Sequence, residues 1–429
     1  MCFAFMAGMA YSQNESTVTQ LGQVNNASVT QTGSNKATVL QETLLGATNN
    51  NATVLQNGTG NTSFSDQLQQ AGKAAPQNIS VTQIGNENGA IQLQGFGYTG
   101  YNDAIISQKS SENTGFQQQD GYNLTATINQ SGGNGNTGGQ NQNGAYLNAR
   151  IDQLGASNFG DQKQSGINNS ATISQTGDGN IAGQKQAGGT YNSPPVYLSG
   201  HISSISQIGS GNFANQTVEG TENNITSIVQ EGIGNFSTHN VNGSSNISKL
   251  YQTKGGYATL SQIGVMNVVK GLTSVGAYDG SWAKFSGKTL NIDQTGFKNI
   301  VSLEADGIAD ITQFNNGSPS PKGNTIEFSQ SGGGIASIAQ VGDANLIKLI
   351  QTAKGTANIV QTGNENKVAQ FDDVFGAANV TSAALFNGAS LDVNQTGDGN
   401  LFNLNSTSAD ANVSVSQLGN TNHASVIQN

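Results

Sequence analysis

The chain has 429 residues, of which 34% are hydrophobic and 10% charged, a balance too polar for the two or three conventional cores that such a length suggests. Its 57 Gly against 5 Pro and 1 Trp, set among abundant Asn, Gln, Ser and Thr, fit a repeat β-structure closed by tight turns; disorder goes with abundant Pro and high net charge, and the net charge here is only -10. The acidic balance offers no basic stripe for phosphates, which argues against nucleic acid and anionic membranes as partners, and no stretch approaches the roughly 18 apolar residues of a membrane span.

Residues 1–10, Met-Cys-Phe-Ala-Phe-Met-Ala-Gly-Met-Ala, read as a signal-peptide remnant: an apolar run closed by the small-x-small site Gly8-Met9-Ala10, without a charged n-region. Cleavage after Ala10 removes the only cysteine, Cys2. Residues 11–429 then form one repeat array, because Gln-x-Gly-x-x-Asn starts at Gln20, Gln56, Gln83, Gln153, Gln175, Gln207, Gln230, Gln262, Gln294, Gln340, Gln361, Gln395 and Gln417. Thirteen copies stand against roughly one expected by chance.

In chain order, the turn residues are Gln20, Gly22 and Asn25; Gln56, Gly58 and Asn61; Gln83, Gly85 and Asn88; Gln153, Gly155 and Asn158; Gln175, Gly177 and Asn180; Gln340, Gly342 and Asn345; Gln417, Gly419 and Asn422. A second Gln follows each of these Asn after five intervening residues, at Gln31, Gln67, Gln94, Gln164, Gln186, Gln351 and Gln428. The upstream arms share the spacing, as in Asn169 to Gln175 and Asn224 to Gln230. Two seven-residue arms therefore flank a short Gly turn.

Within an arm the period is two, the strand signature. The inward pairs are Ile79 and Val81, Ala171 and Ile173, Ala357 and Ile359, and Val413 and Val415, with mostly Thr, Ser, Asn or Asp between them. Asn and Gln six places apart fall on the same face, so each strand turns two amides and two small or branched side chains inward. Turn motifs often lie 22 or 23 residues apart, as from Gln153 to Gln175 and Gln207 to Gln230, enough for strand, turn, strand, turn. The expected fold is all-β: a β-solenoid of about 16 coils with two parallel sheets facing each other.

Connections are expected near 95–101, 187–200, 274–287, 314–323 and 373–388, carrying Tyr191, Tyr197, Tyr278 and Trp282. Pro76, Pro194, Pro195, Pro319 and Pro321 all lie between arms, as a residue unable to donate to a ladder should. The pattern blurs at Gln31 to Gln41, at the displaced Asn136, at Val218 in place of a Gln and at Gly334 in place of an Asn. Stacked about 4.7–4.8 Å apart, equivalent amides form hydrogen-bonded ladders. Strand pattern runs from just after Tyr11 to Gln428, so both terminal coils are expected to offer unpaired edges to another copy, giving an open filament.

The arm, Gln-x-Gly-x-x-Asn turn and x5-Gln arm resemble the curlin repeat of bacterial curli, from about Ser12 to Asn429. The resemblance implies a secreted, extracellular functional amyloid whose main partner is itself, with a nucleator and an outer-membrane secretion pore, serving biofilm matrix and adhesion. Known curlins carry about five repeats after an N-terminal targeting segment; this chain has roughly three times as many. The alternative is a monomeric secreted solenoid, an adhesin using its aromatic loops or an ice-binding protein; for the latter the Thr17-Val-Thr19 rung is not repeated at Arg150 and Asp152 or at Ser204 and Ser206.

Catalytic and metal chemistry is not expected, and no cofactor. His201, His239 and His423 are widely separated on arm positions and read as tolerated strand residues. Asp178-Gly-Asn180 and Asp398-Gly-Asn400 lack the nonapeptide repeat of calcium solenoids, and Ser131-Gly-Gly-Asn-Gly-Asn136 lacks the Lys and helix of a phosphate loop.

Overall fold

The computed structural model describes residues 13–22, 24–43, 50–69, 76–95, 101–189, 200–253, 255–270, 283–286, 289–315, 322–330, 334–351, 356–371, 380–382, 384–387, 390–406, 408 and 410–428. Every regular element among them is a strand, and nearly every pairing is parallel. The chain folds as two compact units, Met1–Gln164 and Ser165–Asn429.

In the first unit one sheet stacks Glu15–Leu21, the second half of Asn25–Thr43, the second half of Asn50–Gln69, Gly89–Gln94, Thr114–Tyr122 and Thr137–Ala145. The other stacks the first halves of Asn25–Thr43 and Asn50–Gln69, then Gln77–Ile84, Asn102–Gln108, Leu124–Gly132 and Asn148–Gly155. The chain alternates between sheets, so a strand pairs with the next but one, which is what a coil demands. The sheets face each other closely: a Cβ on Gly115 would lie 3.0 Å from Ile106 Cγ2.

The second unit repeats this plan. One sheet runs from Ser170–Thr176 through Ile202–Ser210, Ile225–Ile233 and Ile247–Thr253 to Leu401–Ser406 and His423–Gln428. The other runs from Ile181–Gly188 through Phe213–Glu222, Asn235–Ser244, Gly256–Val265 and Thr289–Phe297 to Ser390–Thr396 and Asn412–Leu418. The levels of the two units agree with the expected coil number to within about two.

Alternation sets the core. Ala171 and Ile173 are buried, as are Ile79 and Val81, Ala357 and Ile359, and Val413, while Val415 near the last level is only partly covered. Expected connections proved shorter than read. Ala283–Ser286 pairs with Leu250–Thr253, Ala384–Phe386 pairs with Leu349–Gln351, and Val380–Ser382 pairs antiparallel with Gln370 and Phe371. Ala187 and Gly188 close a strand. These segments were misread because Phe285 stands in register with Gln252, and Phe386 with Gln351, where the repeat carries Gln. Residues 1–10 with Cys2, the loops of Tyr191, Tyr197, Tyr278 and Trp282, and Pro194, Pro195, Pro319 and Pro321 lie outside the described residues.

Candidate assembly site: the amide ladders

Parallel pairing in register places identical side chains one strand spacing apart, and an amide is the side chain that can donate to one neighbour and accept from the other. In the first unit Gln20 Nε2 donates to Gln41 Oε1 at 2.7 Å, and the series continues through Gln67, Gln94, Gln119 and Gln142 to Gln164 at 2.9, 3.1, 2.7, 2.9 and 2.9 Å. The facing sheet carries Gln31, Gln56, Gln83, Gln108, Gln130 and Gln153 at 2.7 to 2.9 Å. In the second unit Gln175, Gln207, Gln230 and Gln252 form one run, and Gln262, Gln294, Gln313, Gln340, Gln361, Gln395 and Gln417 another.

The second Nε2 hydrogen closes onto backbone. Gln83 Nε2 also donates to Asn88 O and Thr62 O, both at 3.0 Å, so the ladder ties the two sheets together as well as stacking. Buried amides would each cost on the order of 1–3 kcal/mol if left unpaired, so this saturation decides whether a polar core is tolerable.

The Asn of each turn stacks in the opposite sense. Asn61 donates from N and Nδ2 to Asn35 Oδ1, Asn88 to Asn61, Asn113 to Asn88, Asn136 to Asn113 and Asn158 to Asn136. Asn61 Nδ2 also reaches Gly85 O of the next level at 2.8 Å. Asn212 and Asn235 continue from Asn180, and Asn345 leads to Asn366, Asn400 and Asn422, in the second unit. Along the ladders, each Gln thus donates to the next Gln toward the C-terminus and each Asn to the preceding Asn.

The turn glycines permit this approach of successive levels. Gly209, at φ +116°, would place a Cβ 2.0 Å from Gly232 O. Gly211 differs: its φ is +63° with nothing within 4 Å of a Cβ, and the first unit holds Glu87 and Ser157 at φ 58° and 55° two places after a turn Gly. The first Gly of the motif is therefore steric, the second a preference.

Most of the Gln and Asn residues named from the sequence lie in these hydrogen-bonded runs, and several do not. Gln186 ends its run early because Val218 and Val241 stand next in register, and it turns instead to Ser170 O at 2.9 Å and Ser203 Oγ at 2.8 Å. Gln351 pairs through its backbone opposite Gln330, and its side chain lies outside the described residues. The displaced Asn136 still occupies its ladder. Gln77, replacing Asn between Asn50 and Asn102, fails: both its amide atoms are buried without a partner, since one added methylene carries the amide past the rung.

Sequence reading missed three features. A further ladder joins Gln92, Gln117, Gln140 and Gln162 at 2.8 to 2.9 Å, signalled by the recurring Gln-x-Gln of Gln92 and Gln94, Gln117 and Gln119, and Gln140 and Gln142. Gln164-Ser-Gly-Ile-Asn-Asn169 is another copy of the turn motif. The burial of His201 and His239, at arm positions, was not foreseen.

At the outermost described levels, Glu15–Leu21 and Asn412–Leu418 are each paired on one side only, and so is His423–Gln428. Among the described residues nothing donates to Gln20 Oε1 or Gln31 Oε1 at one edge, or to Asn422 Oδ1 at the other. No protein-family model matches the chain, and no curated protein matches it.

Proposed function

We propose that the chain is the structural subunit of an extracellular, curli-like functional amyloid fibre that grows head to tail by strand-edge stacking, serving biofilm matrix and adhesion. What carries this is the match between its outermost described levels. Glu15–Gln31 and Asn412–Gln428 share nine of seventeen residues in one alignment: Val18 with Val415, Gln20 with Gln417, Leu21 with Leu418, Gly22 with Gly419, Asn25 with Asn422, then Ala27, Ser28, Val29 and Gln31 with Ala424, Ser425, Val426 and Gln428. Stacked in that register, Gln417 Nε2 of one copy meets the open Gln20 Oε1 of the next, and Asn25 Nδ2 meets the open Asn422 Oδ1. Both bonds run in the directions used inside each unit. Head-to-head contact would oppose Gln acceptor to Gln acceptor and Asn donor to Asn donor.

The polymer is its own principal partner; export, a nucleator and a secretion pore follow from the curlin resemblance. Dilution from denaturant, followed by thioflavin fluorescence, electron microscopy and fibre diffraction, tests this. Fibres with a meridional reflection near 4.7–4.8 Å are expected. Monomers that stay soluble for days at micromolar concentration, with or without seeds, would refute it and favour a monomeric adhesin.

A further inference from the structure

The two buried histidines stand where the repeat carries amides. His201 holds the Asn place between Asn169 and Asn224: its backbone N donates to Asn169 Oδ1 at 2.8 Å, and Asn224 N approaches its Nδ1 at only 3.4 Å, against 3.0 Å for the next rung, Asn246 N to Asn224 Oδ1. His239 holds the inward place of Gln184 and Gln216, followed by Leu260. Its Nδ1 lies 3.0 Å from Ser248 Oγ across the core, and its Nε2 has no partner. His239 stands in register between Gln216 and Leu260 and faces Ser248, and the inward residues of the facing strands, Thr226, Ile228, Ser248 and Leu250, carry no charge. The charged groups nearby are placed outward or at turns: Lys185 pairs with Glu219 at 2.7 Å, Glu231 accepts from Tyr251 at 2.6 Å, and Lys249 and Glu222 are part-exposed.

We propose that His201 and His239 make the levels between Asn169 and Leu260 the acid-sensitive point of the second unit, where falling pH opens coils that remain closed elsewhere. A neutral imidazole stacks in these columns; an imidazolium has no acceptor at Nε2 of His239 and no water to solvate it. Burial lowers the pKa of both, that of His239 to about 3 from 6.5, while for His201 the carbonyls of Gly220 and Ala187 oppose the shift. The folded pKa of His239 lies below the unfolded one, so its stabilisation is complete above pH 6.5 and is lost as pH falls toward 3.

The test is pulsed hydrogen exchange on the full chain, incubated between pH 7 and pH 4 and labelled at one fixed pH. At pH 4.5 the opening equilibrium for a segment governed by His239 should rise about 100-fold. Peptides spanning 200–262 should therefore lose protection before those spanning 335–369 in the same unit. His201→Asn with His239→Gln returns each column to the amide beside it and should abolish that difference while leaving protection at pH 7 unchanged. Simultaneous loss in both segments of the wild type, an equal acid response in the double variant, or a His239 imidazole that titrates near pH 6.5 by NMR would each overturn the proposal.

Discussion

Replacing Gln340 by Met tests the amide ladder at its centre. Gln340 is fully buried, accepts from Gln313 Nε2 at 2.9 Å and donates to Gln361 Oε1 at 2.8 Å and Thr325 O at 3.3 Å. Met is close in volume, so little cavity is created and the loss is electrostatic. Gln313 Nε2 keeps Ile300 O at 3.2 Å, but Gln361 Oε1 is left buried without a donor. Two interrupted rungs at about 1 kcal/mol each, with an orphaned acceptor at about 1–3 kcal/mol, give a destabilisation of about 3–5 kcal/mol. Ser337→Met, exposed on the outward face of the same strand, should change stability by less than about 0.5 kcal/mol. Urea unfolding of freshly diluted monomer, with hydrogen exchange on 334–362, reads both. Gln340→Met with Gln361→Met should cost less than twice the single change, because the bond between them is counted once. Equal effects of Gln340→Met and Ser337→Met, or strict additivity of the pair, would refute a ladder that stabilises through its rungs.

Other perturbations probe strand phase, turns and edges. Ile173→Lys buries a charge among apolar neighbours and should slow assembly and unfold its level, whereas Thr172→Lys on the outward face should matter little; equal lag times in a thioflavin assay would reject the assigned phase. Gly209→Ala should cost more than about 2 kcal/mol by urea melting, while Gly211→Asn is tolerated within about 0.5 kcal/mol, since only the former drives a Cβ into a neighbouring carbonyl. Val426→Lys, at the outermost described level, should leave the monomer folded by circular dichroism yet cut fibre elongation at least ten-fold; unimpaired growth would place the junction elsewhere.

Much of the fold was legible because the β period and the amide spacing coincide. Asn169, Ala171, Ile173 and Gln175 are alternate residues, and all four are buried. The regularity also hid information. Gln-x-Gly-x-x-Asn looks the same at either edge of a coil, and the structure uses both. In the second unit Gln230-Glu-Gly-Ile-Gly-Asn235 leads out of the sheet of Gln207 and Gln252, whereas Gln262-Ile-Gly-Val-Met-Asn267 leads into it. Between them one Gln ladder ends at Gln252 and the other opens at Gln262. No local signal distinguishes these frames, because each turn satisfies its own backbone identically.

The sequence by itself determined the strand period, the inward place of the Gln and Asn of the turn motif and the steric turn Gly, since these depend on alternation and backbone reach within about twenty residues. Only the tertiary structure decided which levels meet. It joined Gln92 to Gln117 across 25 residues and Gln361 to Gln395 across 34, it left Gln77 without a rung, and it put His239 into a column of glutamines. A ladder is a property of neighbours in space, and connections of unequal length separate those neighbours by different distances along the chain. The complementary donors and acceptors at the outermost levels became visible only once the direction of every rung was known.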